Sequence, residues 1–207
     1  MTVTRIEGIT SKKARIFIDN EFAFVLYKGE LRLYKIREGE EIGKDEYREI
    51  TEKLLPKRAK LRSMNLLKSK AYTERQLRDK LFLGEYKENI VNEAIEYVKS
   101  YGYIDDRKYA KDFIAYHMDN KSRKRIEMDL YGKGIDRNIV QEMWEEILEE
   151  GEQPDEISIA EELLRKKNFN PDLATNKEKQ KMWAFLYRKG FNMDIIRRVL
   201  LLDITPI

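Results

Sequence analysis

The chain has 207 residues, 42% of them hydrophobic and 38% charged, with a formal net charge of +3. It contains no cysteine, which excludes disulfides and thiolate metal sites. No apolar run approaches the roughly 20 residues of a membrane helix, and the start, MTVTRIEGIT, lacks the leader pattern of a secretory signal, so the chain reads as a soluble, cytoplasmic protein.

Residues 1–27 read as strands. ARIFIDNEFAFVL alternates Ala14, Ile16 and Ile18, turns at Asp19-Asn20-Glu21, and resumes with Phe22, Phe24 and Leu26 on one face. Apolar period two around a polar turn predicts a hairpin, and VTRIEGI predicts a third strand. Such a small sheet is marginal in water alone and should pack on a helix. Residues 28–36 read as a short helix. A longer helical pattern follows through Tyr47, Ile50, Leu54, Leu61, Met64 and Leu67. Pro56 should break or kink it, or open a new helix.

The remainder repeats. LFLGEYKENIV (81–91), LYGKGIDRNIV (130–140) and LYRKGFNMDII (186–196) fall on one template. Each unit reads as three helices with a turn after the second. Gly134 and Gly190 suit a left-handed residue there, whereas Glu85 stands at that place in the first unit. Asp136 and Asn192 are placed to cap the third helix. The expected architecture is mainly α: residues 1–57 form a β-hairpin or small sheet plus helices, and 58–101, 102–151 and 152–207 form tandem three-helix modules in an elongated, curved array.

Asp105-Asp106 sits where one apolar helical stripe ends and the next begins, which favours helix capping over metal or acid–base chemistry. Thr73 with Gln76 reads as a capping box, and Ser122 as an N-cap. Trp144 and Trp183 are expected in the core. So is the slot shared by Phe82, Tyr131 and Tyr187, which counts against Tyr131 and Tyr187 as base-stacking residues; Tyr72 is a further stacking candidate. His117 reads as a helix-face residue.

Three basic groups are candidate anion-binding surfaces: Lys57, Arg58, Lys60, Arg62, Lys68 and Lys70; Lys121, Arg123, Lys124 and Arg125; and Lys177, Lys179, Lys181, Arg188 and Lys189. The second group opens a helix, where the dipole disfavours cations. Neutralisation by Asp119, Glu127 and Asp129 is the competing reading. No nucleophile–base constellation, phosphate loop or metal spacing supports an enzyme, and no cofactor is expected. A helix-turn-helix transcription regulator is the alternative, but the third helices, KENIVNEAIEYVKS and DRNIVQEMWEEILEE, are mixed or acidic and poorly suited to reading bases.

Several ordered elements resemble the RecX regulatory proteins. GYIDDRKYA (102–110) is similar to the family's Gly-(Leu/Tyr)-Ile-(Asp/Asn)-Asp-x-x-(Tyr/Phe)-Ala signature. YTERQLRDKL (72–81) and KSRKRIEMDLYGKGID (121–136) resemble the elements before and after it. The chain departs at Ser122, where the family often has Gly, and over 170–182, where a longer inter-helix loop is expected. The resemblance implies tandem three-helix units without enzymatic activity. It also implies a monomeric modulator that binds the RecA filament on single-stranded DNA, with phosphate contacts to the strand. Such a modulator lowers RecA's ATP hydrolysis, strand exchange and co-protease activity in DNA repair, homologous recombination and the SOS response.

Overall fold

In the computed structural model, residues 1–202 are described. Internal contacts divide the chain into two compact units, one ending at Asp105 and one beginning at Asp106.

The first unit opens with a three-stranded antiparallel sheet in the order β1 (Val3–Gly8), β2 (Lys13–Ile18), β3 (Glu21–Tyr27). Asp19 and Asn20 both have positive φ, 49° and 70°, the conformation of a two-residue hairpin turn whose twist matches its strands. Ala14, Ile16 and Ile18 alternate inward as expected. β3 departs from that alternation. Ile16 pairs with Phe24 but Phe17 pairs with Phe22, so β3 holds one extra residue. This bulge buries Ala23, Phe24, Val25 and Leu26 in succession and leaves Phe22 at the surface.

After α1 (Lys28–Leu33), one helical run extends through α2 (Lys44–Arg48), a π segment (Glu49–Leu54) and α3 (Leu55–Ser69). Pro56 has no N–H and cannot serve the Glu52 carbonyl. The chain absorbs this by widening one turn, and the Leu55 N–H donates five residues back to Ile50 O. The helical run therefore does not break at Pro56; the π segment gives way to α3, which has Pro56 in its first turn and runs through residue 58. α4 (Glu74–Phe82) and α5 (Glu88–Ser100) complete the first three-helix module. Thr73 and Gln76 form the capping box at the start of α4. The sheet, α3, α4 and α5 share one core that includes Ile16, Leu26, Leu77, Leu81 and Ile95.

The second unit holds two modules. α6 (Asp106–His117), α7 (Arg123–Gly132) and α8 (Arg137–Glu149) close on Ile114, Ile126, Leu130 and Trp144. α9 (Glu156–Arg165), α10 (Asn176–Arg188) and α11 (Met193–Val199) close on Ala160, Leu164, Leu186 and Ile196. The fold is thus mainly helical, with three-helix modules in tandem and a small N-terminal sheet. Asp136 and Asn192 accept backbone N–H groups of Asn138 (2.8 Å) and Ile195 (2.9 Å), capping α8 and α11. The loop expected over 170–182 is shorter: Thr175 and Glu178 form a capping box, and α10 starts at Asn176.

The aromatic slot shared by the modules is not a core slot. Phe82 is 45% and Tyr187 50% exposed, and Tyr131 is partly buried. The leucine just before each one, Leu81, Leu130 and Leu186, is fully buried. Consecutive helical residues point about 100° apart, so the position next to a core leucine sits at the edge of the core rather than inside it, and Tyr131 packs there. Trp144 is fully buried, whereas Trp183 is only partly buried against the third core and stacks on Tyr187 at 5.1 Å between centroids.

Candidate anion-binding surface

The paired aspartates lie at a helix start. Asp105 directly precedes α6 and Asp106 is its first residue, so their charges meet the positive end of the helix dipole. Among the described residues, no group of three or more His, Cys, Asp or Glu could hold a metal ion. His117 ends α6 edge-on to Phe113, at 4.3 Å between centroids. Burial, reinforced by Lys121, holds its pKa below the ordinary histidine value.

In the first basic group, Arg58 does not belong to the surface. Its side chain is 17% exposed, donates to Val25 O (2.6 Å) and pairs with Glu30 (2.9 Å), and its guanidinium lies 5.1 Å from the Tyr27 ring centre. A buried guanidinium needs such partners, and these tie α3 to the sheet and α1. Tyr72, proposed for stacking, is buried in the first core with Lys70 over its ring. Lys60 pairs with Glu93 at 2.7 Å. Lys57, Arg62, Lys68 and Lys70 are exposed.

The second group is more neutralised than its dense charge implies. Lys121 and Arg125 both reach Asp129, at 2.9 and 3.1 Å, and Arg123 pairs with Glu127 at 2.9 Å. The unfavourable dipole of α7 is also answered, because Glu156 of α9 accepts the Arg123 backbone N–H at 2.6 Å. Lys124 is exposed, and no described carboxylate is paired with it. The acidic α8 is engaged in turn by α6: Arg107 pairs with Glu142, and Lys111 with Glu146 and Glu150. Hydrogen bonding to those two carboxylates raises the Lys111 pKa, and hydrogen bonding from Lys111 lowers that of Glu146.

In the third group, Lys177, Lys181, Arg188 and Lys189 are exposed, and Lys179 donates to Leu201 O at 3.2 Å. The structure brings part of this group together with part of the second. Lys121, Arg125, Arg188 and Lys189 line one groove of about 460 Å³ between the second and third modules, with Asn120 and Phe185. Sequence spacing could not join cations more than 60 residues apart.

A buried hydroxyl bridges this junction. Ser122 is fully buried; its Oγ accepts the Arg125 N–H (3.2 Å) and donates to Lys189 O (2.8 Å). Gly190 has φ +91°, and a Cβ on it would sit 2.7 Å from Ser122 Oγ. The contact therefore requires glycine. Sequence reading identified Ser122 as a cap and Gly190 as a turn, but missed that they touch, and missed Glu156.

Comparison with known proteins gives a consistent result. Profiles of the first, second and third three-helix domains of RecX match residues 59–97, 105–143 and 154–200. The regulatory protein RecX of Caldanaerobacter subterraneus subsp. tengcongensis is 32% identical over 202 residues, covering 97% of this chain and 98% of that protein. That of Clostridioides difficile is 30% identical, covering 96% and 93%. A crystal structure of a regulatory protein RecX superposes with a TM-score of 0.61 at 20% identity, over 98% of this chain and 99% of the other. RecX from Lactobacillus salivarius gives 0.55 at 24% identity, over 72% and 98%. These two structures share the fold.

Proposed function

Because the chain belongs to the RecX family of regulatory proteins, we propose that it regulates the RecA recombinase. In this reading it binds the RecA filament on single-stranded DNA and lowers ATP hydrolysis, strand exchange and co-protease activity. It acts as a monomer in the cytoplasm, in DNA repair and the SOS response. The observation that carries the reading is the match of all three modules, in order, to the family's three domains. A regulator that lies along a polymer needs distributed, matched charge more than an enclosed site. The exposed cations supply it: Lys57, Arg62, Lys68 and Lys70 on and after α3, Lys124 on α7, and Lys177 and Lys181 one turn apart on α10.

The test is RecA's DNA-dependent ATPase with increasing amounts of the chain. Hydrolysis should fall, and Lys124→Glu with Lys177→Glu and Lys181→Glu should weaken the inhibition without loss of helical signal. Unchanged hydrolysis, together with failure to co-sediment with the filament, discards the reading.

A further inference from the structure

We propose that the groove between the second and third modules is a phosphate-recognition site that holds the backbone of one nucleic-acid strand, each module contributing two cations. The proposal rests on the reading of the chain as a regulator acting at DNA, and it names where the strand is held.

Three observations carry it. The first is charge: Lys121, Arg125, Arg188 and Lys189 line the groove and no carboxylate does. Asp129 satisfies Lys121 and Arg125 together, so one acid offsets two cations, and no described carboxylate is paired with Arg188 or Lys189. Four cations facing one groove repel one another, and an anion between them relieves the repulsion.

The second is construction. The Ser122 hydroxyl bonds the backbone of Arg125 on one side and of Lys189 on the other. The backbones that carry two of the four cations therefore meet at one buried atom, and Glu156 holds the start of the same helix. A backbone set before binding leaves only side-chain freedom to lose when a phosphate arrives.

The third is the wall. The half-buried Phe185 ring lines the groove, with Lys189 Nζ 5.8 Å from its centre. An aromatic face beside a cationic track suits an unstacked base next to its phosphate, which a single strand offers and a duplex does not. The groove of about 460 Å³ admits a phosphate with its neighbouring base rather than a whole oligonucleotide, so the strand would continue beyond it.

The experiment is fluorescence anisotropy of a labelled oligothymidine with the full chain across a salt series, without RecA. Each phosphate contact to a single strand contributes about −0.7 to the slope of log K against log salt. Arg188→Ala with Lys189→Ala should therefore flatten the slope by about 1.4 and weaken low-salt binding roughly tenfold or more. Lys12→Ala with Lys28→Ala removes two exposed charges from the first unit and should match the wild type. If the groove variant matches the wild type in slope and affinity, the inference is wrong. It is equally wrong if inorganic pyrophosphate binds the groove but oligothymidine does not. RecA ATPase measured in parallel separates the two readings. Inhibition by the wild type with an unaltered DNA slope in the groove variant removes the groove and keeps the regulator. The altered slope without inhibition does the reverse.

Discussion

The same turn closes the second helix of the first and third modules, and the two solve its backbone problem in opposite ways. In the third module the position is Gly190, φ +91°, pressed against Ser122 Oγ and the Arg125 N–H of the neighbouring module. In the first it is Glu85, φ +59°, whose carboxylate grips Arg15 of β2 at 2.6 and 2.9 Å. One module docks on its neighbour by having no side chain; the other docks on the sheet by having a long one. A left-handed residue other than glycine costs about 1 kcal/mol, which the first module tolerates because the turn then reaches the sheet. A shared repeat template thus fixes the turn's backbone and leaves its docking chemistry free.

The contrast is open to direct attack because both tryptophans, Trp144 and Trp183, lie in the second unit. Tryptophan fluorescence reads that unit alone, while far-UV circular dichroism reads both. Gly190→Ala should have the largest effect. It adds strain at a positive φ and places a methyl group 2.7 Å from Ser122 Oγ, and we expect a loss of about 3 kcal/mol in urea unfolding followed by fluorescence. A loss below about 0.5 kcal/mol would mean that the turn relaxes freely and the close approach is incidental.

Ser122→Ala comes next. It removes the α7 cap and the bond to Lys189 O, and leaves that carbonyl to find another donor. The expected cost is about 2 kcal/mol, again in the fluorescence transition. If Ser122→Ala and Gly190→Ala combine additively, the two residues are not the single joint the geometry describes.

How much of this was legible in the sequence depends on the range of the interaction. The hairpin turn at Asp19-Asn20, the capping residues Thr73, Ser122, Asp136 and Asn192, and the tandem modules all follow from patterns a few residues wide or from the repeat itself. Thr175 and Glu178 carried the same local signal and were missed, which made the preceding loop too long. What depends on distant partners was not legible. Arg58 reads as one cation among several until Val25 O and Glu30 are seen to take it inside. The groove cations come from segments whose approach rests on Ser122 and Gly190. Phe82 and Tyr187 failed for another reason: repetition marks a position as structurally equivalent, but only its angle from Leu81 or Leu186 says which way it faces.

The finest test addresses the first module's turn. Glu85→Ala keeps the strained backbone and loses the ion pair; Glu85→Gly loses the ion pair and relieves the strain. The glycine variant should therefore be the more stable of the two by about 1 kcal/mol, seen in circular dichroism and absent from the tryptophan signal. Hydrogen bonding to Glu85 raises the Arg15 pKa above its ordinary value, which marks the pair as favourable to the charged form. Both side chains are nevertheless about one-third exposed, so salt should screen the pair. A double-mutant cycle between Arg15→Ala and Glu85→Ala should show favourable coupling at low salt that shrinks at high salt. Coupling that ignores salt would mean the contact works by packing, and the two docking modes would then differ in shape rather than in charge.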